Sequence, residues 1–214
     1  MDTKHPLLAN NNIHHLCEDP DKWAEYENDV RDACKSLLAA LRIDTINDPN
    51  TLGTADRMAK MYLHELMRGR YVAEPDLSEF PNTRGLDQLY TVGPVQIRSL
   101  CSHHMLPFVG YAWMGILPDK DGNVLGLSKF ARLADWIFCR PQIQEEATIM
   151  LADLIEEKAK PAGLALVVKA QHMCMTIRGV KEPESFMTTS VMRGKLREEP
   201  ALRAEFFSMI DVRG

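Results

Sequence analysis

Apolar positions recur along this chain with two different periods, and the change falls near residue 88. Before it the spacing is helical. Trp23, Tyr26, Val30, Ala33, Leu37, Leu38 and Leu41 share one helical face, and Asp19 followed by Pro20 offers an N-cap and a first helical position. "NDPNTLG" then reads as a turn, and a second helix is predicted from Thr54, carrying Met58, Met61, Tyr62 and Met67.

Beyond residue 88 the pattern becomes one of strands. "LYTVGPVQIRSL" and "PFVGYAWMGIL" predict two strands flanking a short Cys/His loop, and "PDKDGN" turns the chain after the second. Two helical patterns follow. "LSKFARLADWIFCR" has Ser128 as its expected cap, and "QIQEEATIMLADLIEEKAK" places Ile143, Ala147, Met150, Leu151, Leu154 and Ile155 on one side. "LALVVKAQHMCMTIR" then reads as one long strand, "SFMTTSVMRG" as its partner, and "PALRAEFFSMI" as a last helix. The order predicts an α+β fold with a mostly antiparallel sheet. It divides into a flexible N-terminal arm over 1–18, a helical region over 19–85, and a sheet-bearing domain over 86–214.

Composition narrows the class. At 214 residues, 45% hydrophobic and 26% charged, the chain can bury a full core, and it shows neither an internal repeat nor a low-complexity run. A net charge of -5 speaks against broad nucleic-acid binding, which needs a basic face, but leaves room for a local basic pocket around a small anion. No stretch has the apolar length of a membrane span, and the N-terminus lacks the basic and apolar regions of a signal peptide. The expected location is the cytoplasm. Cys17, Cys34, Cys101, Cys139 and Cys174 are an odd, scattered set, which suits core residues, metal ligands or nucleophiles better than a disulfide framework. The arm carries His5, His14 and His15, to which no role is assigned.

Two clusters carry chemistry. "CSHH" crowds Cys101, His103 and His104 into a strand junction, where they can hold a metal, exchange protons, or merely line a loop. Further on, residues at i, i+2, i+4 and i+6 of a strand share a face, so His172, Cys174, Thr176 and Arg178 would point the same way. A lone buried Cys is usually a small hydrophobe and a lone His a satisfied polar residue, but their joint occurrence is not a core pattern. Cys101, His104 and Cys174 together would make a Cys2His set, and three ligands around zinc leave the open position of a catalytic site. His103 and His172 would remain free for protons.

Basic residues accompany them. Lys129 and Arg132 lie three apart on the helix opened by "GLSK", Arg178 ends the strand of the second cluster, and Arg57 and Lys60 lie on an earlier helix. If they converge they suit a polyphosphate, with helix N–H groups near Ser128 adding donors, and otherwise they are solvated charges. In "RPQIQEE", Gln144 and Glu145 open a helix. An acid there is favoured by the helix dipole, and a carboxylate can equally accept two N–H groups from a guanine edge.

"CSHH", "GLSK" with Arg132, "RPQIQE", "HMC" with Arg178, and "TTSVMRG" together resemble the signature of GTP cyclohydrolase I, in order and in spacing, over about residues 25–211. The resemblance implies a tunnelling fold of ββααββ order, with an antiparallel sheet carrying helices on one face, preceded by N-terminal helices. It implies a toroidal homodecamer with active sites at subunit interfaces, and conversion of GTP and water to 7,8-dihydroneopterin triphosphate and formate, which opens folate-type, biopterin-type or 7-deazaguanine biosynthesis. Cys101, His104 and Cys174 match zinc ligands, His103 the acid/base residue at the imidazole ring, and His172 the proton donor to the ribose ring oxygen. Gln144 and Glu145 match guanine contacts and Ser128 a residue near ribose and triphosphate. Lys129, Arg132 and Arg178 match triphosphate contacts, and Arg57 and Lys60 match basic residues serving a neighbouring subunit.

Two departures from the family pattern stand out: Ser102 where many members have Glu, and Ala55 after Thr54 where many have Pro. Neither removes an implied ligand. The competing readings are another tunnelling-fold enzyme acting on a purine or pterin, and a zinc-stabilised binding module closed by a fourth ligand from Cys139 or His103, which would unfold on metal removal.

Overall fold

A computed structural model describes residues 7–212. The chain divides into two compact units, residues 1–73 and 74–214. The boundary falls twelve residues before the expected start of the sheet-bearing domain at 86, because residues 79–81 already belong to a strand of the second unit.

In the first unit, helix α1 (Pro20–Ala40) starts where the sequence places it, with the Asp19 carboxylate accepting the Asp21 N–H at 3.0 Å and Pro20 leading the first turn. Gly53, in the left-handed region at φ 70°, precedes α2 (Thr54–Lys60). The expected single helix through Met67 is interrupted: residues 61–66 widen into π-type turns before the short α3 (Arg68–Tyr71). Ile13, Leu63 and Tyr71 are buried together, with Trp23, Tyr26 and Val30 of α1 packed against them. The Tyr26 and Tyr71 hydroxyls meet at 3.2 Å.

Residues 7–18 do not hang free as an arm. Asn12 Nδ2 donates to the carbonyls of Gly69 at 2.9 Å and Val72 at 2.7 Å, and Arg70 Nη1 reaches the carbonyls of Leu8, Ala9 and Asn11. These bonds satisfy backbone groups that a loose segment would leave to water, and they seat Ile13 in the cluster. His14 and His15 fall in a single 3-10 turn, and His5 lies outside the described residues.

In the second unit, β1 (Glu79–Pro81) pairs with β4 (Asn123–Leu125), and five strands make the main sheet. These are β2 (Tyr90–Cys101), β3 (Pro107–Leu117), β5 (Pro141–Gln142), β6 (Gly163–His172) and β7 (Met187–Gly194), in the order β5-β2-β3-β6-β7. All neighbours are antiparallel except the two-residue β5, which runs parallel to the end of β2. Helices α4 (Leu127–Phe138) and α5 (Gln144–Ala159) pack on one face, where Phe130, Leu133, Phe138, Leu151 and Ile155 meet Phe108, Met114 and Leu166. Arg193 of β7 pairs with Asp153 and Glu156 of α5.

The other face is partly covered as well. The turn α7 (Lys195–Glu198) and helix α8 (Pro200–Met209) lay Leu196 and Phe206 against Trp113, Leu117, Ala165 and Val167. A Cβ at Gly115 would come within 2.7 Å of Phe206 Cε2, so the absence of a side chain lets the ring lie on the sheet.

The long strand read through Arg178 is corrected. β6 ends at His172, paired with Phe108, because the next position of β3 is Pro107, which has no N–H to continue the ladder. The chain then winds into the single turn α6 (Met173–Thr176), held by Thr176 Oγ1 donating to the His172 carbonyl at 3.0 Å. His172, Cys174, Thr176 and Arg178 therefore share no strand face.

Candidate metal centre and active site

Two chain reversals at one end of the sheet build the centre. The link from β2 to β3 is tight: Cys101 N–H donates to the Leu106 carbonyl at 2.8 Å, Met105 N–H to the Cys101 carbonyl at 2.8 Å, and Met105 takes a left-handed φ of 54°. Behind it, Gln142 Nε2 donates to the Ile137 carbonyl at 2.7 Å and to Ser99 Oγ at 3.3 Å, so buried polar bonds fix β5 beside β2.

From the second reversal, α6 carries Cys174 to Cys101. One ligand atom each of Cys101, His104 and Cys174 lie within 4.8 Å of one another. Donors 2.0 to 2.3 Å from one tetrahedral ion stand about 3–4 Å apart, so a small contraction closes this set around a metal. Two sulfurs and an imidazole suit a borderline-soft divalent ion. Burial, and then the adjacent Cys101 sulfur, push the Cys174 thiol pKa up. A cation between the sulfurs would reverse that balance by favouring the thiolates.

The remaining predicted residues divide by place. His103 Nδ1 lies 3.7 Å from Cys101 Sγ. His172 stacks on Phe108 with ring centres 4.6 Å apart and planes 11° from parallel, and burial lowers its pKa against the opposing pull of the Glu145 carboxylate. Glu145 is exposed in the first turn of α5. Arg178 is exposed and donates from Nη1 to His104 Nε2 at 2.8 Å.

The Gln144 side chain faces the interior. Expected at a guanine edge, it is wholly buried, its Nε2 donating at 3.1 Å to the carbonyls of Val168 and Met187 and to Thr189 Oγ1 while its Oε1 lies 2.9 Å from His172 Nε2. Both polar atoms of the side chain are engaged in the interior and shut off from solvent. The sequence signal was its position: Gln144, Ala147, Thr148 and Leu151 are all buried on α5, so two polar residues lie on an otherwise apolar face.

Ser128 is also recast. α4 begins at Leu127 with Gly126 as its N-cap, and Ser128 is exposed in the first turn instead of capping it. Lys129 and Arg132 follow on this helix, which packs on β2, the strand ending in Cys101. Arg57 and Lys60 belong to the first unit. There the Arg57 guanidinium is bound by its own loop, donating to the Leu52 carbonyl at 2.9 Å and to Thr54 Oγ1 at 2.8 Å. Lys60 borders a hollow with Glu27, Arg31 and Asp56.

The family model for GTP cyclohydrolase I matches residues 30–211. The chain belongs to the GTP cyclohydrolase I family. It is 38% identical over 182 residues to GTP cyclohydrolase 1 of Caldanaerobacter subterraneus subsp. tengcongensis, covering 85% of this chain and 95% of that one. It is 39% identical over 178 residues to GTP cyclohydrolase 1 of Corynebacterium glutamicum strain R, covering 83% and 90%. A relative from Dehalococcoides mccartyi, also named GTP cyclohydrolase 1, is 36% identical over 191 residues, covering 88% and 98%. Among solved structures, the archaeosine synthase QueF-Like in its apo form aligns with a TM-score of 0.40 at 15% identity, over 51% of this chain and 94% of that one. Family membership makes this chain an enzyme of the GTP cyclohydrolase I class and its α+β sheet a tunnelling fold.

Proposed function

We propose that this enzyme converts GTP and water to 7,8-dihydroneopterin triphosphate and formate in a zinc-dependent reaction. One observation carries the reading: the ligand atoms of Cys101, His104 and Cys174 converge within 4.8 Å, with His103 against Cys101, in a chain of this family. Zinc held by these three residues supplies Lewis acidity that brings the pKa of a water toward neutrality.

The protein's own groups do the rest. His103, next to Cys101, takes and returns protons as the C8–N bonds of the imidazole ring open and formate leaves. His172 delivers a proton to the ribose ring oxygen, so that the sugar opens before rearrangement and ring closure. Glu145 accepts N–H groups of the guanine edge, and its exposure leaves both oxygens available. Ser128, Lys129, Arg132 and Arg178 receive the ribose and triphosphate.

The assembly is a homo-oligomer, with a decamer as the expected form, in which Arg57 and Lys60 serve a neighbouring copy's site. No helix among the described residues is long and apolar enough to cross a membrane. The cytoplasm, where thiols stay reduced, suits the free cysteines. The product feeds folate-type, biopterin-type or 7-deazaguanine biosynthesis.

The test is incubation of the purified, zinc-loaded protein with GTP, measuring formate and the fluorescent pterin formed after oxidation, with and without chelator and in His103→Ala. Turnover lost on chelation while circular dichroism shows the fold retained, and lost in His103→Ala, supports the assignment. Absence of pterin from the zinc-loaded protein sinks it. Unfolding on chelation would instead favour a structural metal site.

A further inference from the structure

We propose that Gln144 is the positioning residue for His172, holding its imidazole with the proton on Nε2 directed at the amide oxygen and leaving Nδ1 as the ring nitrogen that takes a proton from solvent, forming the imidazolium, and passes it to substrate. The inference rests on the acid–base role given to His172 above.

The direction of the Gln144 amide is settled by its surroundings. Its Nε2 faces two backbone carbonyls, of Val168 and Met187, which only accept, so an oxygen in its place would meet two acceptors with no hydrogen between them. The oxygen must therefore face His172, and that oxygen also only accepts. The hydrogen of the 2.9 Å contact consequently belongs to His172 Nε2. Thr189 Oγ1 receives the amide as well and lies 2.8 Å from Thr148 Oγ1, whose hydroxyl is also 2.6 Å from the Gln144 carbonyl. Because the group is sealed from water, turning the amide over would strand several partners at once.

Two constraints then act on one ring. Phe108, stacked at 4.6 Å, sets the plane of the imidazole, and Gln144 sets its rotation within that plane. This explains why a glutamine with both polar atoms engaged in the interior lies beside the exposed Glu145: one residue turns inward to hold the histidine, its neighbour faces outward. A wandering ring would present the wrong nitrogen for part of the time, lowering turnover without weakening GTP binding.

The experiment joins nitrogen-15 magic-angle-spinning NMR of histidine-labelled protein to steady-state kinetics, with the His172 signals assigned by their loss in His172→Asn. The wild type is expected to show neutral His172 protonated at Nε2, and Gln144→Met a mixture of tautomers. In Gln144→Met, kcat should fall by about 10- to 100-fold with KM for GTP unchanged. Thr189→Val, which removes only one support of the amide, should show a smaller fall of the same kind and serves if Gln144→Met does not fold. A wild-type ring protonated at Nδ1 overturns the proposal, as does a loss expressed in KM alone, which would mark Gln144 as a guanine contact. If the tautomer is as expected but His172→Asn retains full turnover, the acid–base role of His172 fails while the hold of Gln144 on the ring stands.

Discussion

Arg178 donates from Nη1 to His104 Nε2 at 2.8 Å. Arginine has no acceptor, so the lone pair in this contact is the histidine's, and a neutral imidazole has only one. A metal taking Nε2 would meet the guanidinium directly. A metal taking Nδ1 would move the ring proton to Nε2, where it would face the arginine's own N–H. Whichever nitrogen coordinates, ligation of His104 and this Arg178 contact exclude each other.

Metal loading should therefore release Arg178, and the competition can be measured without turnover. In chelator-competition titrations, Arg178→Ala is expected to bind Zn2+ or Co2+ about 2- to 10-fold more tightly than wild type, the worth of one exposed hydrogen bond. Lys129→Ala, which removes the same charge without the His104 contact, controls for simple repulsion. Sulfate, an oxyanion that chelates neither ion strongly, should by drawing Arg178 away tighten metal binding in the wild type and not in Arg178→Ala, since coupling between two ligands is reciprocal. Equal affinities in wild type and both variants would show that the contact does not compete.

The fit of Phe206 to Gly115 gives a prediction about stability. Phe206→Ala removes a wholly buried ring and should cost about 3–5 kcal/mol. Gly115→Ala should cost about 1–3 kcal/mol, because the new methyl meets the ring. Most of the second cost should vanish in the double variant, where the space is free. Thermal or urea unfolding of the four proteins tests this. Additive losses would mean that Gly115 is required for something other than accommodating Phe206.

Much of this arrangement is legible in the sequence because short-range rules govern it. Asp19 and Pro20 start α1 by local hydrogen bonding and geometry, and alternation over residues 90–117 is enough to place the two strands around the Cys/His loop. Residue type and resemblance together point to the Cys101, His104 and Cys174 set, which Cys174 reaches from a helical turn and not from a strand face. What failed was decided by partners distant in the chain. Pro107 ends β6 by withholding an N–H from a strand some 65 residues away, and Gln144 turns inward because Val168 and Met187 offer carbonyls there. Neither partner leaves a mark near the residue it controls.

Asn12 anchors residues 8–17 within the first unit, and its removal should be felt there. Asn12→Ala removes the side-chain bonds to the Gly69 and Val72 carbonyls and the acceptor for the His14 N–H, a loss of about 1–3 kcal/mol. Hydrogen exchange followed by mass spectrometry should show faster exchange over residues 8–17, with the strands β2, β3 and β6 unchanged. Unaltered exchange in that segment would mean that the Arg70 contacts hold it alone.

With Gln144 engaged in the interior, Glu145 is the one of the two neighbours whose side chain is exposed, and the two roles open to that carboxylate predict different outcomes. As a guanine contact, it accepts from the ring N–H and the exocyclic amine, so inosine triphosphate, which lacks the amine, should be a poor substrate for the wild type. Glu145→Gln should then raise KM for GTP by about tenfold or more and shrink the preference for GTP over inosine triphosphate, with metal content unchanged. As a helix-start acid alone, it interacts with the N-terminal dipole of α5, and Glu145→Gln would lower stability by only about 0.3–1 kcal/mol while leaving both substrates' kinetics as they were. The GTP to inosine triphosphate ratio of kcat/KM, measured in both proteins, separates the two, because a stability change acts equally on either substrate and a lost purine contact does not.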